Sequence, residues 1–199
     1  MSLIELRVIS IVYISAFVPI LILIYQHKKN NLEPYWIRIY LFSFFACAVG
    51  WEIWFSYGLA FGDSVDIRRS DVLNTFIPMH INWILNSMAD AGTVSLGGLI
   101  LSSRLSGYDL SKWSWHSFSI LLIWCIAQNL FVEVFLYFDQ LSSGKTLSWA
   151  PLAPTGPWFN PIIFELNGRG INFQTQLPWL LMTPILYKAA IYFKNNQSL

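Results

Sequence analysis

Charge is scarce in this chain. Asp, Glu, Lys and Arg together make up 12% of its 199 residues, about half the share found in an average soluble domain. The formal net charge is +1 and no basic tract occurs, so the sequence gives no support for nucleic-acid binding. A phosphate-binding glycine loop, a dinucleotide-binding glycine motif and a nucleophile elbow are also lacking. These absences argue against nucleotide-dependent enzymes and serine hydrolases.

Cysteine and histidine are rare as well. Cys47 and Cys125 both fall inside apolar stretches, and we interpret them as packing residues rather than disulfide partners or metal ligands. His27 and His116 lie at the ends of predicted helices, where they are poor candidates for haem ligands. His80 and the acids of the apolar stretches include no Glu-x-x-His pair. The sequence therefore predicts no metal site and no other cofactor.

Long apolar stretches are what the chain has instead. Hydrophobic residues make up 55% of it and its mean hydropathy is +0.51. Several stretches are long enough to cross a bilayer as helices. We therefore predict an all-α integral membrane protein, one transmembrane domain of about five helices in the lipid bilayer. The predicted spans are 4–25, 35–59, 78–103, 115–138 and 174–193.

The segment 139–173 is too long for a simple connection between two spans. It contains four prolines and an Asn167-Gly168 pair, which is typical of a tight hairpin turn. We predict that it forms an extracytoplasmic cap that includes a short hairpin. The first apolar stretch has no basic segment before it and is longer than the core of a signal peptide, so we expect it to be retained.

Topology follows from the distribution of Lys and Arg. One set of helix ends and loops carries more unpaired basic residues than the other, so the positive-inside rule assigns it to the cytoplasm. The N-terminus and the cap are then outside and the C-terminus is cytoplasmic. The cytoplasmic basic residues are Lys28, Lys29, Arg38, Arg104, Lys112 and Lys194.

The third span carries a polar stripe. Asn82, Asn86 and Asp90 follow one another at intervals of four residues, with Thr93 predicted on the same side. Hydrocarbon does not solvate amides or carboxylates, so this stripe must face the interior of the protein or a partner.

Other polar residues lie at a similar depth. Glu52 is about eight residues, roughly 12 Å, from the outer end of the second span. Asn129 and Glu133 share a face of the fourth span. We predict that these residues and the stripe line one cavity under the cap. Three tryptophans near the same level complete the predicted lining: Trp51, Trp54 and Trp83.

A carboxyl group in apolar surroundings is costly to ionise, so it can serve as a proton donor near neutral pH. On this interpretation Glu52 is the principal catalytic donor, and Asp90 and Glu133 share or relay the proton. Three amides would orient the acids and bind substrate, and three tryptophans would shield a developing cation. These substrate-binding residues are Asn82, Asn86, Asn129, Trp51, Trp54 and Trp83. The structural alternative is that the polar groups pair with one another to hold the bundle together.

Residues 48–57, AVGWEIWFSY, resemble the Trp-Glu segment of the small integral-membrane terpene cyclases. In that family an intramembrane Glu works with a distant acid to protonate an epoxide or olefin, so that a prenyl chain cyclises. The resemblance implies that Glu52 is that Glu. The five-span count is similar to that of the sterol-isomerase and sigma-2-receptor group, which also uses intramembrane acids on apolar ligands.

Two functions follow as hypotheses. The first is binding of an apolar, isoprenoid-like ligand and its acid-catalysed conversion by cyclisation or isomerisation. The alternative is a non-enzymatic accessory subunit of a larger membrane complex, and a homo-oligomer is also possible. The direction of the polar stripe discriminates between them, because an outward stripe needs a partner and an inward stripe builds a pocket.

Overall fold

The structure is a computed structural model that describes residues 1–58, 62–145 and 160–196. The described part of the chain is mostly helical, as predicted. Four helices are long and apolar enough to cross a membrane: Leu3–Lys28, Pro34–Tyr57, Met79–Ser106 and Trp115–Gln140. They coincide with the first four predicted spans. The four apolar helices therefore agree with the expectation of an integral membrane protein built from α-helices.

The first helix, α1 (Leu3–Lys28), begins with a capping box. The Ser2 hydroxyl accepts from the Glu5 backbone N–H, and the Glu5 carboxylate accepts from the Ser2 backbone N–H. Only 17% of its most apolar window is buried against the rest of the molecule. Such a surface suits contact with lipid.

The second span consists of three consecutive segments. These are the α-helix α2 (Pro34–Cys47), the π-helical segment π1 (Ala48–Glu52) and the α-helix α3 (Ile53–Tyr57). The span ends at Gly58, whose φ of +66° is the left-handed conformation common at helix C-termini. Two short helices, α4 (Val65–Arg68) and α5 (Asp71–Phe76), follow in the loop.

The third and fourth spans have the same interrupted form. The third contains α6 (Met79–Ala89), π2 (Asp90–Leu96) and α7 (Gly97–Ser106), and it begins directly after Pro78. The fourth contains α8 (Trp115–Val132), π3 (Glu133–Tyr137) and α9 (Phe138–Gln140).

The predicted hairpin is present. Strand β1 (Ile162–Leu166) pairs antiparallel with β2 (Arg169–Asn172). Asn167 and Gly168 connect them, both with positive φ, as a two-residue hairpin turn requires. The central part of the predicted cap, residues 146–159, lies outside the described residues.

The last helix, α10 (Phe173–Asn195), covers the fifth predicted span and is 23 residues long. It is not among the four helices apolar enough to count as spans. It packs against α8 and α2. Cys47 and Cys125 are free and fully buried in the apolar core between these helices, which confirms their predicted packing role.

Two polar clusters lie at opposite ends of the bundle. At one end Asp139 accepts hydrogen bonds from Arg7 and, at 2.7 Å, from Arg169. At the other end Lys194 lies 3.4 Å from Asp109. The predicted sides of the loops and the assignment of one side to the cytoplasm stay predictions.

Candidate functional site

The three acids that the sequence predicts as catalytic, Glu52, Asp90 and Glu133, all lie in π-helical segments. Glu52 is the last residue of π1, Asp90 is the first of π2 and Glu133 is the first of π3. A π turn holds an extra residue, so it shifts the side chains beyond it relative to an α-helix, and such turns are frequent at functional sites. This arrangement brings residues of three different spans towards one another.

Glu52 is 2% exposed, and its Oε2 atom has no hydrogen-bond partner within the described residues. The side-chain amide of Asn86 lies beside the carboxyl group and can donate to it, and Asp90 is close enough to interact with it electrostatically. Glu52 is therefore a buried carboxyl group with one oxygen still able to donate or accept a proton.

Asp90 accepts a hydrogen bond from Trp51, the residue that precedes Glu52 in the sequence. The Trp51 indole N–H donates to Asp90 Oδ2 at 2.8 Å. The Trp51 ring in turn meets the ring of buried Trp179 edge-on, with centroids 5.1 Å apart. Segment π1 thus supplies both the acid and the hydrogen-bond donor that orients its partner acid.

Tyr137, which was not among the predicted site residues, interacts electrostatically with Glu52, Asp90 and Glu133. Its ring packs against Phe55, with centroids 4.8 Å apart. One feature of the sequence could have identified Tyr137. It lies four residues after Glu133, a spacing that puts both side chains on the same face of a helix.

A cavity of about 30 Å³ lies beside Asp90, Trp51 and Tyr137, and Glu52 is not among the residues that line it. A water molecule needs a cavity of at least ~10–15 Å³, so this one has room for about two waters. It is too small for an isoprenoid chain. The polar residues that line it are Asp90, Gln128, Asn129, Tyr137 and Thr175.

Glu133 has a different environment from Glu52. Its carboxylate accepts from the Asn172 backbone N–H at 3.1 Å, the Thr175 hydroxyl at 2.6 Å and the Gln176 amide at 2.7 Å. Asn129 donates to the Thr175 carbonyl at 2.7 Å and to the Gln176 side chain at 2.8 Å. Glu133 and Asn129 therefore brace the start of α10 against α8.

Asn82 lies away from the acids. Its amide donates to the Ser56 hydroxyl at 3.1 Å, and its carbonyl oxygen accepts from Arg69 at 2.9 Å. Arg69 also donates to the Ile77 carbonyl at 2.5 Å and to Asn74 at 3.2 Å. Asn82 thus anchors the loop before the third span.

Two adjacent arginines are buried in this loop. Arg68 and Arg69 are 2% and 3% exposed. Arg68 lies over the Phe55 ring at 4.8 Å and donates to the Phe55 carbonyl. Burial lowers the pKa of each guanidinium to about 10. Both remain charged at neutral pH, and the charge of Arg68 acts on Glu52.

The remaining predicted residues have other neighbours. Trp83 donates to the Ala48 carbonyl at 2.8 Å and so packs on π1, and Trp54 is half-buried. The prediction that Thr93 shares the polar stripe is wrong: its hydroxyl donates to the Ser15 carbonyl of α1 at 2.8 Å. The prediction assumed an α-helix throughout. Asp90 and Thr93 lie in the π-helical segment π2, where successive side chains are rotated by a smaller angle than in an α-helix.

The predicted site residues thus have three kinds of environment. Glu52, Asn86, Asp90 and Trp51 come together, and Asn129 lines the small cavity beside Asp90 and Trp51. Asn129 also forms the brace with Glu133, whereas Asn82 belongs to the loop anchor. Within the ranges that the structure describes, no group of three or more His, Cys, Asp or Glu side chains is placed to hold a metal ion. No protein-family model, no curated protein and no solved structure matches this chain.

Proposed function

We propose that this protein is a membrane-embedded enzyme that converts an apolar, isoprenoid-like ligand by acid catalysis, through cyclisation or isomerisation. The observation that carries the proposal is the unpartnered Oε2 of buried Glu52 beside Asp90. The resemblance of residues 48–57 to the Trp-Glu segment of membrane terpene cyclases adds to it.

The two acids have complementary roles in this proposal. Two carboxyl groups close together in apolar surroundings do not readily ionise at the same time, so the pair retains a proton. The Trp51 N–H stabilises charge on Asp90, which leaves the proton on Glu52. Glu52 transfers it to an olefin or epoxide, and the resulting carbocation rearranges. Loss of a proton to the Glu52 carboxylate then restores the enzyme, so no proton is consumed overall.

Aromatic faces near the acids would stabilise the intermediate cation. Trp51 and Trp179 present their rings at the cavity that Asp90 lines. A cation above an indole face is favoured by up to ~2 kcal/mol once water is excluded. Because the cavity is only about 30 Å³, the ligand enters only when the surrounding side chains move apart.

The proposal includes a bundle of five transmembrane helices with an extracytoplasmic cap. The length of α10, 23 residues, is sufficient for a fifth crossing. Its contacts with α8 and α2 support its inclusion in the bundle.

The direction of the polar stripe supports the ligand site over the accessory subunit. Asn82 is 1% exposed, Asn86 and Asp90 are half-buried, and Asp90 accepts from Trp51 inside the bundle. The chain's own residues therefore cover Asn82 and part of Asn86 and Asp90, which supports an inward stripe.

The test is conversion in heavy water. The protein is reconstituted in nanodiscs and given farnesyl and geranylgeranyl chains, each as the olefin and as the terminal epoxide. Wild type should release a cyclised or isomerised product, which carries one carbon-bound deuterium from the solvent when the olefin is the substrate and a new hydroxyl group when the epoxide is. Glu52→Gln should release no product. Glu165→Gln, a change in the exposed strand β1, is the matched control and should behave as wild type. Conversion by Glu52→Gln at the wild-type rate would overturn the proposal.

A further inference from the structure

A second cavity lies at the end of the bundle opposite the acid site. It has a volume of about 340 Å³ and is bounded by the end of α1, the start of α2 and the end of α7. This volume falls within the range of small-molecule sites. Two of its walls, Ile22 and Ile100, are 54% and 37% exposed, so the cavity is a groove that opens on the lateral surface of the bundle.

The groove has an apolar base and a polar rim. Its base is formed by Ile22, Leu23, Leu96 and Ile100. Its rim carries Arg104, an exposed residue without a hydrogen bond or ion pair in the described ranges. A guanidinium has five N–H donors in a fork that matches phosphate oxygens. The groove therefore suits an amphiphile whose anionic group lies next to its apolar chain.

The surrounding charge favours an anion further. Lys28, Lys29 and Lys112 are exposed at the same end of the bundle. The nearby acid Asp109 already contacts Lys194 at 3.4 Å. Arg104 lies in the last turn of α7, at the level where a transmembrane helix meets the headgroup region.

We propose that this groove binds an anionic phospholipid. The phosphate lies on Arg104 and one acyl chain follows the apolar base along Ile22 and Ile100. A soluble anion would leave that base unused, and an uncharged polyene would leave Arg104 without a partner. The site is separate from Glu52 and Asp90, so it does not depend on the proposed chemistry.

The test is native mass spectrometry of the full-length protein with phosphatidylglycerol and phosphatidylcholine of the same acyl composition. Wild type should retain phosphatidylglycerol with a preference of about fivefold, the contribution of one basic side chain near a lipid headgroup. Arg104→Gln should abolish this preference, and Arg104→Lys should restore part of it. Lys112→Gln, which removes an exposed charge at the same end but outside the groove, is the matched control and should keep it.

Two further measurements show whether the ligand in the groove is a phospholipid. Ile100→Trp should fill the groove and weaken retention of phosphatidylglycerol while Arg104 is intact. Glycerol phosphate, which has no acyl chain, should not compete. Equal losses in Arg104→Gln and Lys112→Gln would overturn the proposal in favour of a general charge effect. Competition by glycerol phosphate would overturn it in favour of a simple anion site.

Discussion

Two carboxyl groups that the sequence predicts at similar depth differ in whether their oxygens have partners. Glu133 accepts from three donors, and its partners all belong to the start of α10 or the residue before it. Glu52 keeps one oxygen without a partner in the described part of the chain. A satisfied carboxylate stabilises structure, whereas an unsatisfied buried one has a cost that function can explain.

Glu133→Gln should therefore destabilise the protein without stopping its chemistry. An amide in place of the carboxylate turns an acceptor into a donor that faces Thr175 and Gln176, and the expected loss is about 1–3 kcal/mol. Thermal unfolding in detergent measures it, with the exposed Glu165→Gln as the control. Unchanged stability together with lost conversion would show that Glu133 is catalytic instead.

Arg69→Met should destabilise the loop before the third span. It leaves Asn82 Oδ1 and the Ile77 carbonyl buried without their donor, at a cost of about 2–4 kcal/mol. Arg69→Lys should recover only part of this loss, because an ammonium cannot reach both acceptors with a planar fork. Lys112→Gln, at an exposed basic residue outside both the loop and the groove, should unfold at the wild-type temperature. Equal unfolding temperatures for Arg69→Met and wild type would contradict the claim that Arg69 and Asn82 anchor this loop.

At the scale of the secondary-structure elements, the sequence predicted the apolar helices and the hairpin but not the π-helical segments. The four apolar spans and the Asn167-Gly168 hairpin follow from composition and turn chemistry. Spacing along a span gives the depth of a residue, but the rotation of each helix depends on packing. For that reason the position of each residue along its span predicted that Glu52, Glu133 and Asn82 line one cavity. In the structure each of the three has a different environment.

Glycines at two sites should respond oppositely to alanine. A Cβ at Gly98 would lie 2.6 Å from the Trp124 ring, whereas a Cβ at Gly50 meets no atom within 4 Å. Gly98→Ala should therefore separate α7 from α8 and cost about 1–3 kcal/mol. Gly50→Ala should be neutral or stabilise by up to about 1 kcal/mol through helix propensity. Unfolding in increasing denaturant compares the two, and similar midpoints would contradict the close packing of α7 on α8.

At the scale of the whole molecule, the proposed crossing of the membrane by α10 predicts that the hairpin and the C-terminal end of α10 lie on opposite sides. Cysteine variants report this directly, because native Cys47 and Cys125 are fully buried. With an impermeant maleimide on intact cells, Glu165→Cys should react, whereas Asn31→Cys and Asn195→Cys should react only after permeabilisation. Labelling of both Glu165→Cys and Asn195→Cys on intact cells would show that α10 does not cross.

The central claim is that Glu52 acts on an apolar ligand inside the bundle. Native mass spectrometry with extraction of bound small molecules, on wild type and Glu52→Gln purified in the same detergent, tests it most directly. The account predicts that wild type carries a discrete apolar molecule, which Glu52→Gln either loses or retains in unconverted form. If both variants carry only other polypeptides and no small molecule, the enzyme interpretation is wrong and the accessory-subunit interpretation replaces it.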